Sequence, residues 1–453
     1  MRASLSDLLR VLPGAQMTAN ASIVGVSTNS KAVDQGNLFV ALRGERFDAH
    51  DFLSEVAAQG AAAAVVERVP DGFALPALVV SDTRHALGQI ANFWRRQFEI
   101  PVIGVTGSNG KTTVKEMIAS ILAAAFGEGK YLSTRGNLNN EIGVPLTLFR
   151  LASSHRAAVI EMGMNHPGEI ARLAEIAEPT VALVNNAQRE HQEFMASVAA
   201  VAEENGSVIR GLSSDGCAIF PADEDYTSLW QDYADHRRTI SFGLDHHAAV
   251  TCEWQPRDFG SDLRINAAGN TIDVALSAAG IHNVRNALAA CAAALAVGID
   301  AGSIAQGLRS FTPVAGRLQR KSAHNGALVI DDTYNANPDS VRAAIDVLAA
   351  APAPRTLVLG DMGEVGSEGI AFHEEIGSYA RARQIDRLFT LGVLARHASI
   401  AFGSAARHFD TMDTLNQEIA AVPSGASVLV KGSRFMKMER VVDRLTGSSV
   451  GGH

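Results

Sequence analysis

The sequence predicts an α/β protein of three domains, and three observations carry that prediction. The chain has 453 residues, which at roughly 100–200 residues per domain suggests two to four domains. Short apolar runs alternate with helical stretches from end to end, the pattern of strand–helix layers rather than of an all-α or all-β fold. The runs that read as strands commonly end in glycine or polar residues just before a helix. In open α/β sheets that is where ligands sit.

A first domain is expected over residues 1–98. Leu38 to Leu42 reads as a strand, followed by the turn-rich Arg43-Gly44-Glu45-Arg46 and a helix from about Asp51, with further strands at Ala62 to Val66 and Leu78 to Val80. A central domain, residues 99–313, opens with the β-branched run Ile100 to Val105, a buried parallel strand by composition, then a Gly-rich loop and a helix from Thr112 to about Ala125. Ala157 to Ile160 and Val181 to Val184 read as two more buried strands, and Asn286 to Gly298 as a buried helix. A third, Rossmann-like α/β domain is expected over residues 314–453, with strands at Leu328 to Asp332, Thr356 to Asp361, Arg387 to Thr390 and Ser427 to Val430.

Composition narrows the function classes. Apolar residues make up 47% and charged residues 19%, enough for large cores and against bulk disorder. A net charge of −9 gives a nucleic-acid partner no support. An anionic ligand must then be held by local donors rather than by the overall field. Cys217, Cys252 and Cys291 show neither metal-ligand nor redox spacing, which fits a reducing cytoplasm. The N-terminus lacks the apolar core of a signal peptide, and Asn286 to Gly298 is too short to span a bilayer. A cytoplasmic monomer without an integral membrane segment is expected.

The strongest local signal is Val105-Thr106-Gly107-Ser108-Asn109-Gly110-Lys111-Thr112-Thr113. Strand, loop and helix follow in the order of a phosphate-binding loop. Glycines let backbone N–H groups approach a phosphate, the helix N-terminus adds partial positive charge, Lys111 would neutralise the terminal phosphates, and Thr112 would offer its hydroxyl to Mg²⁺. Val105 stands where the general pattern has its first glycine, with Gly107 two residues later. Such a loop implies a nucleotide but not a reaction.

Thr106-Gly107-x-x-Gly110-Lys111-Thr112-Thr113 resembles the ATP loop of the Mur ligase and folylpolyglutamate synthase superfamily, and further motifs agree in order over nearly the whole chain. The resemblance implies ATP and Mg²⁺ as cofactors, with Gly107, Ser108, Asn109, Gly110, Lys111, Thr112 and Thr113 on the phosphates. It implies a Mg²⁺-binding Glu161 in Glu161-Met162-Gly163 and a metal-proximal His191 after the strand Val181 to Val184. It also implies Asn283 and Asn286 of His282-Asn283-x-x-Asn286 on adenine, Arg317 on the nucleotide, and Asp331 facing the nucleotide from the third domain. Lys111, Glu161 and His191 are then the catalytic candidates, and Thr112, Glu161 and His191 the metal ligands.

Within that family the motifs are similar to those of the member whose substrates are a UDP-N-acetylmuramoyl-tripeptide and D-Ala-D-Ala. Asn137, Asn139 and Asn140 would belong to its central substrate loop, and Thr28, Ser30, Lys31, Asp48 and His50 to its UDP-sugar segments. Asn335, Asn337, Asp361, Glu364, Lys431 and Arg434 would lie on the third-domain side, facing the dipeptide. Lys437 and Arg440 continue the basic run, but Met438, Val441, Val442 and Leu445 mark that stretch as an ordinary amphipathic helix. Two other readings stay open: a neighbouring amino-acid or folate-glutamate ligase, and a P-loop ATPase whose outer domains bind a protein.

The resemblance also brings a departure. Many Mur ligases carry a carbamylated Lys in the central domain, yet no Lys occurs between Lys130 and Lys321 here, and Asn205 aligns with the expected position. The expectation is that Asn205 binds through its oxygen or a water, or that Glu204 supplies the negative charge. The alternative is that Glu203 and Glu204 are simply exposed helix charges. Reactants spread over three domains imply closure, with a hinge expected near Phe311 to Arg317.

Overall fold

The computed structural model describes residues 1–44, 47–190 and 192–447. Its first sheet has five strands in the order Gln16–Met17, Ala77–Val79, Ala63–Val66, Leu38–Val40 and Val26–Ser27, parallel except at the Gln16–Met17 edge. The helix Thr83–Arg95 joins this domain to the next. Asp82 caps it by accepting from the N–H groups of Arg84 and His85. At its other end the buried Arg95 donates to the carbonyls of Ala177 and Glu178, which end the central-domain helix Glu169–Ala177. Leu87, Ile90 and Ala91 of Thr83–Arg95 pack into one core with Ile170, Leu173 and Ala177.

The central sheet has nine strands. From one edge they run Asn270–Leu276, Gly260–Ala267, Val250–Arg257, Arg238–Phe242, Cys217–Pro221, Val181–Val184, Val102–Thr106, Ala157–Glu161 and Tyr131–Ser133. Only the pairings among the first three are antiparallel. Strand order reverses about Val102–Thr106: the next strands in sequence lie on one side of it and Val181–Val184 on the other. A topological switch point of this kind opens a crevice at the carboxyl end of the sheet. The buried run 102–106 leads there into the helix Lys111–Phe126, which packs under Ile281–Ala296 through Val114, Ile118, Ile121, Leu288 and Cys291.

The third sheet has six strands, in the order Gln319–Ser322, Leu328–Asp332, Ser427–Lys431, Arg355–Gly360, Arg387–Leu391 and Ala406–Phe409, antiparallel only at the first pair. The helix Glu439–Thr446 buries Val441, Val442 and Leu445 against it, with Met438 just ahead, as the apolar spacing predicts. No helix among the described residues is long and apolar enough to cross a membrane.

His373, on the helix Gly369–Ala382, is fully buried and holds the turn after Arg355–Gly360 in place. Its Nε2 accepts from the Met362 N–H at 3.0 Å, and its Nδ1 donates to the Gly369 carbonyl at 2.6 Å. That pairing requires a neutral ring, and burial holds His373 below its ordinary value of 6.5. The unfolded chain therefore takes up a proton that the native state refuses. Stability from neutral His373 is complete above about pH 6.5 and is lost as pH falls below it. Denaturant unfolding followed by third-domain signals should show a shallower acid-side loss of stability in His373→Phe than in wild type. Equal pH slopes would contradict the assignment.

Candidate active site at the junction of three domains

Strand register sets the site. Glu161 pairs with Val105 on one side of the central strand, and Val184 pairs with Thr106 on the other. Glu161, the loop 107–110 and Asn185-Asn186 therefore emerge together at the carboxyl end of the sheet. Gly107 and Gly110 have φ of +133° and +82°. A Cβ on Gly107 would lie 2.9 Å from Asn185 Cβ, and one on Gly110 would lie 2.5 Å from Asn286 Oδ1. Neither position tolerates a side chain. Asn205 Oδ1 accepts from the Gly107 N–H at 2.8 Å, and Asn186 Oδ1 accepts from the Asn109 N–H at 2.9 Å. Among the described residues no side chain caps the helix Lys111–Phe126. Its first N–H groups face a cleft of about 1010 Å³ lined by Ser108 through Thr113, the arrangement that holds a phosphate.

Lys111 Nζ donates to Glu190 Oε1 at 2.7 Å and to the carbonyls of Gly107 and Ser108. Glu190, unread in the sequence, thus holds the loop lysine. Glu161 is 2% exposed. Its Oε1 accepts from Asn139 Nδ2 at 2.8 Å, while its Oε2 is buried with no hydrogen-bond partner among the described residues. A bare carboxylate oxygen in such a place is costly unless a cation takes it. With the Thr112 hydroxyl in the same cleft, the donors are hard oxygens that suit Mg²⁺. His191 lies outside the described residues.

Asn283, Asn286 and Arg317 all line the cleft. The first two also brace it: Asn286 Oδ1 accepts from Asn185 Nδ2 at 2.9 Å, and Asn286 Nδ2 donates to Asn283 Oδ1 at 3.1 Å. Arg317 stacks over the Tyr334 ring at 4.1 Å. Beside them Arg285 holds Asp223 through two 2.7 Å bonds, and burial pushes Glu224 up to about 7. This acidic pair after Cys217–Pro221 had no signal beyond its place at a strand end.

From the third domain the cleft receives Asn335, Asn337 and Lys431. Lys431 Nζ donates to Asp332 Oδ2 at 2.5 Å and to the Asn335 carbonyl at 2.9 Å, and Asn337 Nδ2 donates to Asn109 Oδ1 at 2.9 Å. Four third-domain residues expected at the site lie outside the cleft lining. Asp331 points away from the cleft, paired with Lys321 at 2.7 Å and Thr333 at 2.7 Å. Neighbours in a strand face opposite ways, so Asp332 is the one that lines it. Asp361 is buried and accepts from the N–H groups of Val393 and Ala395, where it supports the turn into the helix Ala395–Phe402. Arg434 is exposed and paired with Glu439 at 3.1 Å. Glu364 does not line the cleft; its carbonyl accepts from the Glu193 N–H at 3.2 Å.

Asn137, Asn139 and Asn140 line the central wall of the cleft, but the first domain contributes differently. Thr28, Ser30 and Lys31 lie outside the cleft lining. Asp48 and His50 serve the fold: Asp48 pairs with Arg43 at 3.1 Å and His50 at 2.5 Å, and His50 Nε2 accepts from the Glu67 N–H at 2.9 Å. Both ring nitrogens are used, and His50 is only 4% exposed. Among the described first-domain residues, Arg84, at the start of Thr83–Arg95, reaches the cleft.

Residues 22–95 match the model of the Mur ligase family, catalytic domain; residues 105–294 match the Mur ligase middle domain; and residues 316–434 match the Mur ligase, glutamate ligase domain. The chain belongs to the Mur ligase family. It is 40% identical over 446 residues to the UDP-N-acetylmuramoyl-tripeptide–D-alanyl-D-alanine ligase of Escherichia coli strain K12, covering 98% of each chain. Among solved structures it is similar to MurF from Acinetobacter baumannii, with a TM-score of 0.92 at 34% identity over 98% of this chain and 99% of that one. It is also similar to the MurF ligase of Thermotoga maritima in complex with ADP, with a TM-score of 0.83 at 28% identity over 93% and 96% of the two chains.

Against the Mur ligase pattern, Asn205 has a clear task here. It is 1% exposed, and its side-chain oxygen props the Gly107 N–H while its carbonyl accepts from the Thr106 hydroxyl at 3.1 Å. The oxygen proposed for a metal or its water is thus already engaged. Glu204 does not supply the missing charge: its carboxylate accepts from the N–H groups of Gly168 and Ile170 and caps the helix Glu169–Ala177. Glu203 alone is an exposed helix charge. With no lysine to carbamylate, turnover should be unchanged when bicarbonate and CO₂ are stripped from the assay. Loss of rate on stripping, restored by bicarbonate, would sink this account.

Proposed function

We propose that this chain is the ATP-dependent ligase that joins D-Ala-D-Ala to UDP-N-acetylmuramoyl-tripeptide through an acyl phosphate. The products are the pentapeptide precursor of peptidoglycan, ADP and phosphate. One observation carries the reading: a phosphate-binding helix end, a lysine and a buried carboxylate with one bare oxygen share a cleft walled by all three domains. The name of the Escherichia coli relative, matched over nearly the full length of both chains, supplies the substrates.

A carboxylate and an amine do not condense at neutral pH without activation. In the first step an oxygen of the tripeptide carboxylate bonds to the γ-phosphorus of ATP, and the bond from that phosphorus to the bridging oxygen breaks, releasing ADP. In the second, the free amine of D-Ala-D-Ala attacks the acyl carbon, the carbon–oxygen bond to phosphate breaks, and the nitrogen sheds its proton. Backbone N–H groups from Gly110 to Thr113 orient the phosphates. Lys111 leaves Glu190 for the transferring group and stabilises its charge. Thr112 and Glu161 would hold Mg²⁺, which would neutralise phosphate charge when bound. Asn137, Asn139 and Asn140 fit the muramoyl peptide side, and Asn335, Asn337 and Lys431 the dipeptide side, with Asn283, Asn286 and Arg317 on the nucleotide. The hinge falls at the linker near Phe311 to Arg317, ahead of the strand Gln319–Ser322.

Phosphate release should require ATP, Mg²⁺, the UDP-linked tripeptide and D-Ala-D-Ala together, and the product should gain one dipeptide less water. Lys111→Met should lower kcat by about 10²–10³, the scale of losing one preorganised charge-stabilising donor. Release without any small-molecule acceptor would favour a partner-driven ATPase. Release that ignores D-Ala-D-Ala but follows another amino acid would favour a neighbouring ligase.

A further inference from the structure

The segment between the strand Val181–Val184 and the helix Val198–Arg210 touches two domains with consecutive residues. Gln188 Oε1 accepts from Asn109 Nδ2 at 2.6 Å, and its carbonyl accepts from the Ser108 hydroxyl at 3.3 Å. Glu190 holds Lys111. Between them, Arg189 turns the other way into the third domain. Its Nε and Nη2 donate to Asp339 at 3.1 and 2.6 Å, and its Nη1 donates to Glu375 at 2.6 Å. Its backbone N–H also donates to Asp339, at 2.9 Å. Arg342 supports Glu375 from behind at 2.9 Å, and the Arg189 guanidinium lies 5.3 Å from the Phe372 ring centre.

Asp339 lies in the first turn of the helix Pro338–Ala349, whose cap Asn337 bonds to Asn109 of the phosphate loop. A planar fork bridging two carboxylates on two different third-domain helices fixes orientation as well as distance, which a point charge would not do. The pair is about three-quarters buried, at 24% side-chain exposure for both Arg189 and Asp339. That lifts it out of the class of solvent-screened surface bridges.

We propose that Arg189 is a positioning residue that latches the third domain onto the phosphate-loop side of the cleft. It thereby ties the placement of Asn335, Asn337 and Lys431 to the same segment that holds Lys111. The kinetic arm of this inference rests on the ligase reading; the structural arm does not. The phosphate loop, Asn283, Asn286 and the tripeptide side stay whole without the latch, and Arg317 sits at the domain join, whereas the wall of Asn335, Asn337 and Lys431 is mispositioned.

The test compares wild type with Arg189→Met, Arg189→Lys, Asp339→Asn combined with Glu375→Gln, and the triple combination. Each is measured by small-angle scattering of the ligand-free chain and by steady-state kinetics. Arg189→Met should give a more open scattering profile and raise the KM for D-Ala-D-Ala by about tenfold, with the KM for ATP within about twofold, as expected for a shifted closure equilibrium. Arg189→Lys should recover part of both effects. The carboxylate pair variant should reproduce the defect, and the triple variant should add nothing to it, the mark of one shared interaction. Unchanged scattering together with unchanged dipeptide KM in Arg189→Met would overturn the latch, as would equal loss for ATP and dipeptide or additive effects in the triple variant. If no variant, nor wild type, shows D-Ala-D-Ala-dependent turnover, the ligase reading fails, while scattering still decides the latch.

Discussion

A phosphate site in a chain with net charge −9 must be built from local donors rather than from the overall field. The rest of the cleft depends on that constraint. The donors here are the N–H groups at the uncapped start of Lys111–Phe126, exposed because two glycines at positive φ bring the loop against Asn185 and Asn286. Asparagine amides do the bracing: Asn205 under Gly107, Asn186 under Asn109, and Asn185 on Asn286. An amide accepts and donates without adding charge, so the loop is held rigid and the phosphates meet no extra repulsion.

Charge is then added at few points and mostly in compensated form. Lys111 is countered by Glu190, Lys431 by Asp332 and Arg285 by Asp223. Glu161 keeps one bare oxygen, which gives a divalent cation a reason to bind there rather than elsewhere in the cleft. The first domain shares a large core with the central one, while the third meets it mainly through polar contacts around Asn109–Asn337 and Arg189, with only Phe259 and Ala279 of the central domain, among the described residues, packed against its core. Interfaces of the second kind open more readily, so motion is expected to lie there.

Much of this was legible in the sequence because strand ends and loop chemistry are local. The runs 102–106, 157–161, 181–184, 328–332 and 427–431 are apolar enough to be buried parallel strands, and the residues after them had to face the crevice. The antiparallel strands from Val250 to Leu276 went unread although Leu263, Ile265 and Ala267 alternate with charged or polar neighbours, a period-two signal ahead of the Ala268-Gly269 turn. Single-residue roles were legible only where backbone geometry fixed them. Asp331 and Asp332 differ by one position and face opposite sides of a strand, so telling which one lines the cleft needed the pleat. Asp48, His50, Asp361 and Glu204 have the chemistry of ligand-binding groups, but their partners are backbone N–H groups and nearby side chains brought close by folding. Glu190 and Arg189 stood in plain view beside a motif, but their partners lie far away in the chain.

The account's central claim is that Lys111 and the helix end receive the terminal phosphates, with Glu190 holding the lysine until they arrive. A crystal structure with a non-hydrolysable ATP analogue and Mg²⁺ tests it most directly. The account predicts phosphates on the N–H groups of Gly110 to Thr113, Lys111 Nζ moved from Glu190 to the γ-phosphate, and the cation against the free oxygen of Glu161. Phosphates bound elsewhere, with Lys111 still paired to Glu190 and Glu161 bare, would contradict it.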